Sequence, residues 1–370
     1  MEKYKILIVH STLHIGGAEE VTANLCQRID KSRFDVSVCY LKEKGVVGDK
    51  IEEQGTPVIG VPAGDTKKTD YLTSLKLRKI IREKGIQLVH SHDVHALTDC
   101  SICKITMPGL KFVHTFHYGN YPVREKSLKR FEKLFWRIPS RLVAVSNNQK
   151  KGIQALYGIG DNKIQTVWNG VDTESAPEKY DVVDRYRAQG RVIIGSVNTL
   201  IEQKGMFDLI STAEKLKQNL GDKFVFLIAG DGHLKEPLQK QINEKGLQDH
   251  VILMGWVKRA STKFLPQIDI FFQPSLWEAM SMVLMEAMAY GKAIVATGVG
   301  ETPLIIENED QGVVVNAKDV NAMADALGVL INDQSRREAI GNNALQRYRQ
   351  SFTAEKMAHR YEALYQELLA

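Results

Sequence analysis

RVIIGSV (191–197) is the stretch on which the reading of this chain turns. It is a short apolar, β-branched run that follows a polar pause, TESAPEKYDVVDRYRAQG (173–190), with one proline and no sustained apolar stretch. Before the pause lie KILIVH (5–10), DVSVCYL (35–41), PVIGV (57–61), IQLVHS (86–91), KFVHTF (111–116), RLVAVS (141–146) and IQTVWN (164–169). After it come FVFLIAG (224–230), VILMG (251–255), IDIFFQPS (268–275), AIVAT (293–297) and GVVV (312–315). Continuous rather than alternating hydrophobicity is what a strand needs when both faces of a parallel sheet are covered. Amphipathic segments separate the runs. In 71–84, for example, Leu72, Leu75, Leu77, Ile80 and Ile81 recur on one side of a helix.

Strand–helix–strand repetition, interrupted once, predicts an α/β protein of two Rossmann-like doubly wound domains facing a central cleft. The N-terminal, acceptor-side domain is placed at 1–175, a linker at 176–190, and the C-terminal domain at 191–352. The segment 353–370 carries Met357, Tyr361, Leu364, Tyr365 and Leu368 at helical spacing. It lies beyond the second sheet's pattern, where a helix can pack back on the N-terminal domain.

Composition excludes several classes. A net charge of +5, with no basic tail, is too small to argue for nucleic acid. Four cysteines (Cys26, Cys39, Cys100 and Cys103) are too few to staple 370 residues and suit a reducing compartment. Only four consecutive apolar residues precede His10, which is not a signal peptide, and no run approaches the roughly 20 apolar residues of a membrane span. A cytoplasmic protein is expected, with the inner face of the membrane within reach.

The sharpest chemical signal is Glu278-Ala279-Met280-Ser281-Met282, continuing through Val-Leu-Met to Glu286, just after the run ending at Pro274-Ser275. If both glutamates are helical, their eight-residue separation is about 800° of rotation, or some 80° face to face. If Glu278 lies in the turn and Glu286 in the helix, both can look into the cleft. The amides of 279–282 then open toward an anion at a helix start. Two solvated glutamates on a surface helix are the plainer alternative. The apolar surroundings, SLWEAMSMVLMEAMAYG, argue against it, because buried acids need partners.

With the Ala-Met-Ala-x-Gly-Lys that follows (287–292), this element resembles the donor-site signature of family-4 retaining glycosyltransferases of the GT-B fold, the group 1 glycosyltransferases. Further pieces recur in that family's order: Gly16-Gly17-Ala18-Glu19, LVHSHDVHA (88–96), Asn169-Gly170-Val171-Asp172, Glu202-Gln203-Lys204-Gly205, Ala229-Gly230-Asp231-Gly232, then MGWV (254–257) and QPS (273–275). They span nearly the whole chain. The resemblance implies that Glu286 binds ribose hydroxyls, Glu278 the transferred sugar, and Lys204 the diphosphate. Gly16 and Gly17 would let backbone approach the phosphates, and Gly255 and Trp256 would meet the base, unless Trp256 only caps the core. His117 matches the family's active-site histidine, expected to orient the sugar near the anomeric carbon. His114 should lie inside the strand.

Two departures stand out. The family's glycine-arginine pair before the Lys204 position reads Asn198-Thr199 here, so Lys204 or another cation must carry more of the phosphate charge. The loop after 293–297 reads Gly298-Val299-Gly300-Glu301-Thr302-Pro303-Leu304, which moves or loses an acidic contact.

Other signals weigh less. Five of ten histidines fall between 90 and 117, and His90-Ser-His92-Asp93-Val-His95 invites a metal reading, but no further spaced ligands follow. The chain contains no Asp-x-Asp, so no metal or other cofactor is expected. Cys100-Ser-Ile-Cys103 is a lone pair with no partner pair, better suited to a core helix than to zinc. KSLKRFEKLFWRIPSR (126–141) reads as a basic helix with Leu128, Phe131, Leu134, Phe135 and Ile138 toward one side. It suits contact with an anionic membrane and a lipid-linked acceptor, or plain core packing with a solvated basic face.

The resulting expectation is a retaining, metal-independent hexosyltransferase. Its donor is a UDP- or GDP-sugar, its acceptor a glycan, glycolipid or lipid-linked saccharide. The alternatives are a nucleotide-sugar epimerase of the same fold and a non-catalytic nucleotide-sugar-binding module.

Overall fold

The computed structural model describes residues 3–61, 72–119, 126–173 and 179–370. The chain divides into two compact units, Met1–Gly170 with Ala354–Ala370, and Val171–Thr353. Among the described residues the first unit holds seven strands: β1 (Tyr4–Thr12), β2 (Phe34–Glu43), β3 (Val58–Gly60), β4 (Leu88–Ser91), β5 (Lys111–Phe116), β6 (Arg141–Ala144) and β7 (Ile164–Thr166). They form one parallel sheet in the order β3-β2-β1-β4-β5-β6-β7. The second unit holds β8 (Val192–Val197), β9 (Phe224–Ala229), β10 (Val251–Gly255), β11 (Ile270–Gln273), β12 (Ala293–Thr297) and β13 (Val313–Val315), again parallel, in the order β10-β9-β8-β11-β12-β13.

Each of the thirteen apolar runs becomes a strand: β5, β10 and β12 match their runs, β1 and β2 extend beyond theirs, and the others are trimmed at one end or both. The central strands show why the runs are continuous: Ile6, Leu7, Ile8 and Val9 of β1 are all solvent-free, as are Phe224 to Leu227 of β9. Helices cover both faces. In the second unit Phe224, Phe226 and Phe272 pack with Leu209, Leu238 and Leu327 in one continuous core.

The linker reading needs correction. Within 176–190, Asp181–Ala188 forms a helix, α7, whose Val183 and Tyr186 are buried in the second unit. Arg185 and Arg191 lie over the Tyr186 ring, which is how so polar a stretch still holds a helix against the sheet. The segment 71–84 also departs in detail. Its helix α3 (Thr73–Lys84) buries Leu77 and Ile81 while Leu72 and Leu75 stay exposed, so the apolar stripe is narrower than its spacing suggests. The basic helix stops early, at Phe135 rather than 141, in α5 (Lys126–Phe135). Pro139 disfavours helix at Ile138 and lacks an amide donor of its own, so the chain turns into β6.

The last helix, α15 (Ala354–Leu369), belongs to the first unit and packs on α1 (Gly17–Arg28). Tyr361 and Tyr365 are fully buried there, and the hydroxyls find partners in the sheet, Thr115 Oγ1 at 3.2 Å and His90 Nδ1 at 2.7 Å. Burial pushes both phenols above their ordinary range.

One turn is set by backbone alone. Gly205 has φ +64°, and a Cβ there would lie 2.0 Å from the Pro274 carbonyl oxygen. It joins the 3-10 turn Glu202–Lys204 to helix α8 (Met206–Leu220). Gly205→Ala should therefore lower the stability of the second unit by about 2 kcal/mol, the usual range for forced left-handed backbone plus a backbone clash. Chemical denaturation checks this; an unchanged midpoint would show that the turn tolerates a side chain.

Candidate active site

A doubly wound parallel sheet opens a crevice where strand order reverses, at the carboxyl ends of its central strands. The first unit reverses between β1 and β4, the second between β8 and β11. Lys204, Glu278 and His117 lie at these two edges, whereas Gly255 and Trp256 stand at the end of the outer strand β10.

In the second unit Glu278 sits in the loop after β11, ahead of helix α11 (Met282–Ala289), and Glu286 lies within that helix. Glu278 is buried, and three neighbours hold it. Lys204 Nζ lies 2.6 Å from Oε1, Ser275 Oγ donates to the same oxygen at 2.8 Å, and Gln203 Nε2 reaches Oε2 at 3.5 Å. Gln203 also donates to the Trp277 carbonyl at 3.0 Å. A buried carboxylate so held offsets its desolvation with one charge and two hydrogen bonds. Ser281 caps α11 by accepting from Leu284 N–H at 3.3 Å, while its own hydroxyl donates to Gln273 Oε1 at 2.6 Å. The Gln273 amide nitrogen is buried with no hydrogen-bond partner among the described residues. Ala279 accepts from the Glu301 amide through its carbonyl, and Met280 is buried against the loop.

The departures from the family pattern are accommodated by polar bonding within the unit. Asn198 donates to Ser196 Oγ at 2.6 Å, and Ser196 donates to the Phe272 carbonyl at 2.9 Å, tying β8 to β11. Glu301 is fully buried, and Gly300, with φ +57°, lets that loop approach the Glu278 carbonyl; a Cβ there would meet it at 2.3 Å. Gly255 ends β10 and accepts from the Gly230 amide at 2.8 Å. Trp256 is 61% exposed, so it does not cap the core.

In the first unit Gly16 caps α1 in extended conformation and Gly17 opens the helix. The helix start is not bare: Glu19 folds back, its Oε2 standing 2.4 Å from where a Gly16 Cβ would be. Burial raises the Glu19 carboxyl to about 6, against the lowering effect of its own amide. Asp93, the cap of helix α4 (Val94–Thr106), accepts from Ala96 N–H at 2.9 Å and from Ser11 N–H at 2.6 Å, which joins the end of β1 to the end of β4.

Between those ends stands a row of imidazoles. His10 and His92 lie 4.7 Å apart with rings 13° from parallel, and His90 lies 4.1 Å from His92. His92 Nδ1 meets His117 Nε2 at 2.8 Å. His10 Nε2 is 2.8 Å from Thr22 Oγ1, and His90 bridges Tyr365 and Thr115 at 2.7 Å each. His117 follows β5 and is half-buried, whereas His114 lies inside the strand and meets Ser91 Oγ at 2.8 Å. Burial first, then the neighbouring imidazoles, push His117 down to about 3. Burial likewise brings His10 to about 4, against the pull of Asp93, and holds His90 and His92 well below the usual range.

His95 points outward, exposed on α4, which separates it from the other histidines. Among the described residues no three His, Cys, Asp or Glu side chains stand together in a way that could hold a metal ion. Cys100 and Cys103 are free thiols on the buried side of α4. Sequence reading passed over His10, Gln203, Gln273 and Ser275 as site residues. Each ends or follows a central strand or its turn, and that placement was the available signal.

The sequence profile described as glycosyl transferases group 1 matches residues 184–347, and that of glycosyltransferase family 4 matches 15–175. The chain belongs to the group 1, family-4 glycosyltransferases. Similar proteins include the Escherichia coli UDP-Gal:alpha-D-GlcNAc-diphosphoundecaprenol alpha-1,3-galactosyltransferase, 24% identical over 99% of this chain and 98% of that one. The Bacillus anthracis N-acetyl-alpha-D-glucosaminyl L-malate synthase is also 24% identical, over 81% of this chain and 80% of its own. Among solved structures, Anabaena Alr3699/HepE in complex with UDP and glucose superposes with a TM-score of 0.84, at 19% identity, covering 98% of this chain and 100% of that one. The fold of this glycosyltransferase is accordingly GT-B.

The buried histidines give the transferase a pH dependence. In the unfolded chain imidazoles take up protons near pH 6.5, whereas in the folded unit His10 and His117 resist protonation until about 4 and about 3. The stabilisation is present above the unfolded value and is lost as pH falls toward the folded ones. Glu19 acts oppositely, being easier to protonate when folded, but it is one group against four. The melting temperature should therefore drop between about pH 7 and about pH 5, before most carboxylates titrate. Calorimetry that found a flat profile there would contradict the neutral, buried histidine row.

Proposed function

We propose that this glycosyltransferase moves a hexose, with retention and without a metal ion, from a UDP- or GDP-sugar to a glycan, glycolipid or lipid-linked acceptor. The observation that carries the reading is the Lys204–Glu278 pair, 2.6 Å apart at the strand-order reversal of the second unit, beside the capped start of α11. It supplies together the two things a nucleotide sugar needs. One is a cation for a leaving group that gains negative charge, the other a carboxylate that accepts from sugar hydroxyls.

In this reading Lys204 neutralises the departing diphosphate, with the 279–282 backbone at the helix start beside it. Glu286 accepts from the ribose hydroxyls, and Glu278, steadied by Ser275 and Gln203, accepts from the transferred sugar. Gly255 and Trp256 take the base, and the exposure of Trp256 leaves its ring free to stack. His117, neutral at working pH, hydrogen-bonds the sugar near the anomeric carbon and is not a base. Lys204 carries the charge that an arginine at Thr199 would otherwise share. UDP is favoured over GDP by the relatives, since the Escherichia coli protein is named for UDP-Gal and the Anabaena structure holds UDP.

The test is a nucleotide screen by thermal shift with EDTA present, repeated on Glu286→Ala. UDP should raise the melting temperature of the wild type without added metal. Glu286→Ala should weaken UDP at least tenfold, about 1.4 kcal/mol, the loss of a charged hydrogen bond. Unchanged UDP affinity in that variant would sink the assignment, and dependence on a divalent ion would sink the metal-free mechanism.

The lipid-linked branch of the acceptor proposal draws support from α5. Phe131 and Leu134 are 49% and 66% exposed, beside Lys129, Arg130 and Lys133, while the buried side carries Glu132, whose carboxylate accepts from Tyr157 Oη at 2.7 Å. Apolar side chains held out among cations suit an anionic lipid surface. Among the described residues no helix is long and apolar enough to cross a membrane. Sedimentation with phosphatidylglycerol vesicles should capture the wild type and lose a Phe131→Ser/Leu134→Ser variant; equal capture of both would remove α5 from the interface.

A further inference from the structure

His92 is buried between His10 and His90 and has one hydrogen-bonded ring nitrogen. Its Nδ1 meets His117 Nε2 at 2.8 Å, with the ring centroids 5.1 Å apart and the planes only 21° from parallel. That centroid distance is too long for two imidazoles stacked face to face. It matches rings lying edge to edge, with the bond close to the plane of both, as an N–H···N bond requires. The other nitrogen, His92 Nε2, is buried with no hydrogen-bond partner among the described residues.

Both rings are neutral in so crowded and dry a row, so a single proton lies between them and its position is a choice of two. If His117 donates from Nε2, His92 must carry its own proton on Nε2, an orphaned N–H in the core. If His92 donates from Nδ1, only a lone pair is left unmatched. Buried N–H groups without a partner are the rarer and costlier defect. We propose that His92 is a positioning residue: its Nδ1–H donates to His117 Nε2 and fixes the proton of His117 on Nδ1. His117, half-buried at the end of β5, then presents a defined N–H donor rather than a mixture of tautomers.

This rests on the proposed role of His117 as a hydrogen-bond donor to the sugar, but the proton assignment holds or fails without any substrate. Three proteins decide it. In the wild type, long-range proton–nitrogen correlation of the imidazoles should show His117 protonated on Nδ1 in the absence of ligand. His92→Phe keeps an aromatic ring between His10 and His90 and removes the donor. His117 should then shift toward the Nε2–H form that an unconstrained histidine side chain prefers. With the natural reaction in hand, kcat should fall about 10- to 100-fold, as for other residues that orient a site ligand, with KM for the donor within about twofold. His92→Asn places an amide N–H the same number of bonds from the backbone as Nδ1. It should restore both the Nδ1–H form and most of kcat.

A wild-type His117 protonated on Nε2 would overturn the inference, whatever becomes of the variants. So would a His92→Phe enzyme with wild-type kcat, or a His92→Asn enzyme as slow as His92→Phe. Should His92→Phe fail to fold, the wild-type spectrum and His92→Asn still decide. Failure of the donor-site reading would appear elsewhere, as UDP binding indifferent to Glu286.

Discussion

Everything chemical in this protein depends on one constraint, that all strands in each sheet run the same way. Parallel strands bring their carboxyl ends to one edge, and the helices that connect them must start there. At the point where strand order reverses, neighbouring connections leave in opposite directions and the edge is left uncovered. In the second unit that edge collects Gln273, Ser275 and Glu278 from the end of β11 and Lys204 from the turn after β8. In the first it collects His10, His92 and His117 from three strand ends.

The two edges are solvated differently. In the second unit charge meets charge: Glu278 is buried but held by a lysine and two polar side chains. In the first, burial dominates and the imidazoles stay neutral, braced from below by Tyr361 and Tyr365 of the last helix. A neutral imidazole can direct a hydrogen bond without adding a positive charge to that edge of the sheet.

The family's missing arginine has a local consequence. Thr199 stands at the arginine's position, and Asn198, in place of the pair's glycine, turns its amide inward to Ser196, which itself bonds across to β11. Glu301 is likewise drawn inside, with its loop pressed onto the Glu278 backbone through Gly300. The second departure closes the backbone around Glu278, and Lys204 is the cation bonded to its carboxylate.

What the sequence determined by itself was the class of fold, because continuous β-branched runs are legible without knowing what covers them. The thirteen strands and the Glu278-to-Glu286 element could be read in this way, since a doubly covered strand must be apolar throughout. Helix limits were less legible. The polar stretch 181–188 is helical because Tyr186 and Val183 find a sheet to bury against, and α5 ends early because Pro139 breaks it. Partnership was not legible at all. That Lys204 grips Glu278 and that His92 holds His117 are facts of distance between residues far apart in the chain. Only tertiary structure decides them, because a hydrogen bond depends on tenths of an ångström and on what else is buried beside it, and neither is written in spacing.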